Sequence, residues 1–150
     1  MSLLKRFDDD LKQALKTSER SKVSVIRMVK AAVKNAQIEK GRELTDEEIL
    51  SVLSTMAKQR RESIEQFTKG SRADLVHNEE QELSILQFYM PRQLSNEEIE
   101  SMIHDAIRES SAMGGQDMGK VLRVLMPRIK GVADGKYVHQ RVKELLESGT

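Results

Sequence analysis

Ninety consecutive residues without proline, with apolar side chains returning every three or four positions, leave this chain little alternative to packed helices. Both prolines, Pro91 and Pro127, lie in the second half, so nothing interrupts a helical ladder before them. Leu4, Phe7, Leu11 and Leu15 predict an apolar stripe on a helix over residues 2–17. Val25, Met28, Val29, Ala32, Val33 and Ala36 predict a second over 22–39, with Gly41 supplying its C-cap. Thr45 and Glu48 form a capping-box pattern that opens a third helix. Ile49, Val52, Leu53, Met56, Ile64 and Phe67 carry it to Gly70, and a fourth, 73–89, places Val76, Leu83, Leu86 and Tyr89 inward. Short links between such helices favour antiparallel neighbours.

The segment 90–98, MPRQLSNEE, is the expected boundary, giving domains 1–90 and 91–150. Pro91 cannot continue a helix and pushes Met90 out of the α region. Ser95 with Glu98 is a second capping box, followed by Ile99, Met102, Ile103, Ala106 and Ile107, and Gly114-Gly115 is expected to break that helix. Asp117 then caps a helix bearing Val121, Leu122 and Leu125, which Pro127 kinks or ends, and a last helix carries Val138, Val142, Leu145 and Leu146. The fold class is all-α: an N-terminal antiparallel bundle of about four helices and a smaller C-terminal three-helix subdomain.

Composition narrows the chemistry. Aromatic residues make up 3% of the chain and Trp is absent, too few for base-stacking modules. Without Cys there is no disulfide, thiolate metal site or Cys nucleophile. The N-terminal residues, broken by Asp8-Asp9-Asp10, resemble neither a secretory signal nor a transit peptide, and no apolar run approaches the ~20 residues that span a bilayer. A soluble, cytoplasmic protein without membrane contact is expected. His77, His104 and His139 lack ligand spacing, and no nucleophile elbow is present. Gly119-Lys120 follows Gly114 at P-loop distance, yet Val121 replaces the Mg²⁺-holding hydroxyl. Glu47-Glu48 and Glu97-Glu98 stand in first helical turns, where the helix dipole accounts for them. No catalytic residue, metal or cofactor is assigned, and no self-contained active site is visible.

Charge is segregated behind a net of +1. Residues 20–42 carry +6, residues 73–109 carry −7 and residues 116–143 carry +5. Arg27, Lys30 and Lys34 share one helix face, which suits either ordinary solvation or phosphate contact. In Lys58-Gln59-Arg60-Arg61, Arg60 falls on the apolar stripe. It can pair there with a carboxylate of a neighbouring helix or mark a basic site.

Lys58-Gln59-Arg60-Arg61-Glu62-Ser63, Tyr89-Met90-Pro91, Met118-Gly119-Lys120-Val121 and Gly131-Val132-Ala133-Asp134-Gly135 resemble the bacterial YqeY proteins along the whole chain. That family is similar to the C-terminal tail of GatB, a subunit of the amidotransferase that converts misacylated Glu-tRNA(Gln) or Asp-tRNA(Asn) with glutamine as nitrogen donor. The resemblance implies an all-helical fold and a link to carbon–nitrogen ligase chemistry, whose catalytic domain this chain lacks. The tail's Gly-x-Val motif falls on Gly119, Lys120 and Val121, and its Gly-x-Ala segment on Gly131, Val132 and Ala133. Arg123 stands where the family usually has Gly, and Val132 where it usually has a base.

The expected function is therefore a non-catalytic accessory module for tRNA or another structured RNA, read by shape and backbone. An amidotransferase or synthetase is the expected protein partner. Candidate phosphate contacts are Lys120, Arg123, Arg128, Lys130, Lys136 and Lys143, with Arg27, Lys30, Lys34, Lys58, Arg60 and Arg61 in the first part. The alternatives are a component of glutamine-dependent ligase activity and a protein-interaction module using the acidic 73–109 segment.

Overall fold

A computed structural model describes residues 2–148. Among them it contains seven α-helices, one 3-10 turn and no strand, so the chain is all-α. Two compact units result, Met1–Pro91 and Arg92–Thr150. Among the described residues no helix is long and apolar enough to cross a membrane.

The first unit holds α1 (Leu3–Lys16), α2 (Arg20–Lys40), α3 (Asp46–Lys69) and α4 (Ala73–Phe88). Its helix ends follow from local chemistry. Gly41 stops α2 in the left-handed region at φ 70°. The Thr45 hydroxyl accepts from the Glu48 amide while the Glu48 carboxylate accepts from the Thr45 amide, starting α3. Helix α3 packs along α4, α1 along α2, and α2 against both α3 and α4. Phe7, Ile26, Ile49, Leu53 and Leu86 close the core, each such burial contributing about 1.5–3 kcal/mol. Tyr89 adds a polar anchor: its ring meets Phe7 edge-on at 4.9 Å, and its hydroxyl donates to Asp10 at 2.5 Å. Leu15 departs from the expected stripe. The buried positions of α1 are Leu3, Phe7 and Ala14, and Leu15 is 51% exposed. The chain leaves α1 at Lys16 and reverses through Ser18 at φ 57°, and in that last turn Ala14 takes the inward position while Leu15 faces out.

The second unit holds α5 (Asn96–Ser110), a 3-10 turn (Gly115–Asp117), α6 (Met118–Ile129) and α7 (Gly135–Glu147). Ser95 and Glu98 make the expected capping box. Helix α6 packs against both α5 and α7 around Ile103, Val121, Leu125, Ile129, Val138 and Val142. Two local expectations are corrected. Helix α5 ends at Ser110 with Ser111 left-handed at φ 55°, before Gly114 is reached. Asp117 makes no side-chain cap to α6, because its carboxylate accepts from the Met113 amide at 2.9 Å. Of the two outcomes expected at Pro127, a kink or an end, the end does not occur, since α6 runs on to the buried Ile129. The corner beyond is fastened within the unit. The Leu94 amide donates to the Val132 carbonyl at 2.8 Å, and the Gln93 side-chain amide to the Gly131 carbonyl at 3.1 Å.

Candidate nucleic-acid interface

Helices α6 and α7 each bury one stripe and turn the other outward. On α6, Val121, Leu125 and Ile129 face the core, which leaves Lys120 and Arg123 exposed one turn apart. On α7, Val138, Val142, Leu145 and Leu146 are buried, leaving Lys136, His139, Gln140 and Lys143 on the outer face. Lys130 stands exposed at the end of α6.

Ion pairs sort these cations. Arg128 donates to Glu109 at 2.7 Å, and Arg141 is bound by Glu100 and Glu144. These two carboxylates raise the Arg141 guanidinium above its ordinary range, and Arg141 lowers Glu100. Lys120, itself exposed, lies 3.4 Å from the largely buried carboxylate of Asp117. Asp117 is itself held low, first by the Met113 amide and then by Lys120. Arg123, Lys130, Lys136 and Lys143 make no ion pair among the described residues. Four exposed, uncompensated cations on one small unit attract anions most strongly at low salt. Gly119, beside Lys120, lies on the exposed first turn of α6. A Cβ there would meet nothing within 4 Å, so the packing does not require glycine. Val132, where the resemblance led to a missing base, is half-buried and held by its backbone.

The cations of the first unit are used differently. Arg60 is corrected as a phosphate contact. Its side chain is 15% exposed, and it donates to Glu82 of α4 at 2.7 Å, with Glu79 3.7 Å away. Burial and the charge of Glu82 raise the Glu79 carboxyl, and Arg60 pulls it back. Lys30 is drawn to Asp8 of α1 at 2.5 Å, separating it from the expected trio with Arg27 and Lys34. Arg61 is half-buried; Lys58, Arg27 and Lys34 are exposed. Lys40 and Arg42 converge on Glu48 and hold its carboxyl below the usual range. The −7 segment is divided between the two units and largely neutralised within them. Among the described residues only Glu80 and Glu97 of its carboxylates stand outside an ion pair.

One surface feature escaped the sequence reading. Phe88 is 65% exposed, with Arg6 6.0 Å and Lys22 5.8 Å from its ring centroid. Phe88 and Tyr89 are adjacent at the end of α4, and it is Tyr89 that turns into the core, leaving Phe88 outside it. Among the described residues no cluster of three His, Asp or Glu could hold a metal ion.

Comparison with known proteins places these features in context. A family model described as "Yqey-like protein" matches residues 4–146. "Altered inheritance of mitochondria protein 41, mitochondrial" of Pyrenophora tritici-repentis is 30% identical over 147 residues, 96% of this chain and 81% of the relative. The proteins of the same name from Eremothecium gossypii and Lachancea thermotolerans are 36% and 31% identical. Those matches cover 58% and 67% of this chain, and 48% and 55% of the relatives, about half of each. All three are named as mitochondrial proteins, which overturns the cytoplasmic expectation. That expectation rested on Asp8-Asp9-Asp10 and on the absence of Cys, and neither feature records a compartment.

Proposed function

We propose, from the premise that this chain belongs to the Yqey-like protein family, that its C-terminal unit is a non-catalytic RNA-binding module acting on tRNA. The observation that carries this is the set Arg123, Lys130, Lys136 and Lys143, exposed and outside any ion pair among the described residues. Lys120 joins them, its own side chain being exposed beside Asp117.

Each cation neutralises one phosphate and releases condensed counterions, so affinity comes from the backbone and falls with salt. The second unit's one aromatic residue, Tyr137, is half-buried, which favours recognition of shape over base reading. Gly119 leaves the first turn of α6 bare, so a nucleic-acid backbone can approach beside Lys120. By resemblance to the GatB tail, such a module serves glutamine-dependent tRNA amidation as an accessory that positions tRNA for a catalytic partner.

The test is fluorescence anisotropy with labelled tRNA, comparing the intact chain with an Arg123→Gln, Lys130→Gln, Lys136→Gln, Lys143→Gln variant. Affinity should fall at least about tenfold while the helical circular dichroism is unchanged. Equal affinity of the two proteins would refute the proposal.

A further inference from the structure

We propose that the groove between the end of α1 and the first half of α2 is a docking site for an acidic amphipathic helix of a partner protein. The groove encloses about 650 Å³ and opens to solvent. From α2 it is lined by Arg20, Val23, Ser24, Arg27, Met28 and Ala31, and α1 contributes the half-exposed Leu15.

The spacing of the α2 residues carries the argument. They fall at i, i+3, i+4, i+7, i+8 and i+11, one continuous face over three turns. The core-facing residues of the same helix are Val25, Ile26, Val29 and Val33. The second face of α2 is mixed, with Val23, Met28 and Ala31 interleaved with Arg20, Ser24 and Arg27, and Met28 also packs against the core. Among the described residues α1 reaches only the edge of the second face. Ser24 and Ala31 keep it low, allowing close approach of another helix, while Leu15, Val23 and Met28 give it apolar area. Its length, about 16 Å by helical rise, suits a partner helix of three to four turns.

Charge selects the occupant. Arg20 and Arg27 stand two turns apart along this face, and neither makes an ion pair among the described residues. The acid adjacent in sequence, Glu19, accepts from the Thr17 hydroxyl at 2.7 Å. Two uncompensated guanidinium groups flanking an apolar floor complement a helix with carboxylates beside its apolar stripe. A second copy is disfavoured, because a two-fold arrangement would set Arg20 and Arg27 against their own equivalents. An RNA backbone would leave the apolar floor uncovered. The site is separate from the cations of α6 and α7, so its failure and the failure of the RNA reading are distinguishable.

The test uses the full chain, isotopically labelled for NMR, and a synthetic helical peptide of about 14 residues with a Leu stripe flanked by Glu two turns apart. Amide shifts confined to the Leu15 and Val23–Ala31 region are expected, with micromolar affinity. Arg20→Glu with Arg27→Glu should weaken binding about tenfold or more. A peptide with Lys in place of those Glu residues should then bind the charge-swapped variant and not the parent. Absence of localised shifts, or equal binding of both peptides to the parent, overturns the proposal. So does concentration-dependent dimerisation through this face, or loss of tRNA affinity in the charge-swapped variant with its peptide binding intact.

Discussion

Replacing Arg60 with Gln should destabilise the first unit without affecting RNA binding, and the size and pH profile of the loss follow from the local geometry. The guanidinium lies 2.7 Å from Glu82 and 3.7 Å from Glu79, and its Nη2 approaches the Met28 sulfur at 3.5 Å. The three charged side chains are 15–28% exposed, between a solvated surface pair and a fully buried one. Exposed pairs contribute 0–1 kcal/mol, and breaking a buried pair costs about 3–5 kcal/mol. The intermediate burial here gives a loss of about 1–2 kcal/mol at neutral pH, or several degrees of melting temperature for a unit of this size. The sign of the pH dependence is fixed. Burial and Glu82 already raise Glu79, with Arg60 opposing them. Removing Arg60 leaves two uncompensated carboxylates one turn apart on α4 and raises Glu79 further above its unfolded value. A carboxyl raised on folding favours the fold below its unfolded pKa and loses that contribution as pH rises through the folded pKa. The variant's deficit must therefore be largest near pH 7 and shrink towards pH 4. Urea denaturation of both proteins across that range measures it. A deficit below about 0.5 kcal/mol at neutral pH, outside what a half-buried pair allows, would refute the reasoning. A deficit independent of pH, or a fall in tRNA affinity matching that of Arg123→Gln, would do so equally.

Tyr89→Phe removes the hydroxyl that donates to Asp10 while keeping the edge contact with Phe7, and should cost about 1–2 kcal/mol in denaturant titrations. Ser111 caps α5 at φ 55°, so Ser111→Gly should stabilise the second unit by about 0.5 kcal/mol and Ser111→Val should destabilise it, read by melting temperature. Glu98 is held at about 2, first by the Arg92 guanidinium and then by the Ser95 amide. A carboxyl depressed on folding stabilises above its unfolded value and loses that contribution as pH falls, here between about 4.5 and 2. Acid titrations of Arg92→Gln should show a weaker pH dependence in that window.

What could be read in advance was local. The capping boxes at Thr45–Glu48 and Ser95–Glu98 bring donor and acceptor together within four residues, so their spacing announces them. The apolar periods likewise placed the helices, because a helix needs only its own side-chain spacing to declare an inward face. Non-local facts were hidden. That α1 buries Ala14 and exposes Leu15 depends on where Ser18 reverses the chain. Pro127 is carried inside α6, which runs on to the buried Ile129. Asp117 serves the Met113 amide behind it rather than the helix ahead. The same limit applies to the candidate interface. Within the +5 segment, Arg128 and Arg123 look alike in sequence, yet Arg128 meets Glu109 nineteen residues away and Arg141 meets Glu100 forty-one residues away. Only tertiary packing separates the engaged cations from Arg123, Lys130, Lys136 and Lys143.

The central claim is that those four cations contact phosphate, and the salt dependence of tRNA affinity tests it most directly. With those four contacts and Lys120 as a fifth, the logarithm of the association constant should fall against the logarithm of salt concentration with a slope of about −4 to −5. In the quadruple Gln variant the slope should drop to about −1, the contribution left to Lys120. A slope that is the same in both proteins, or flat in the intact chain, would contradict the account.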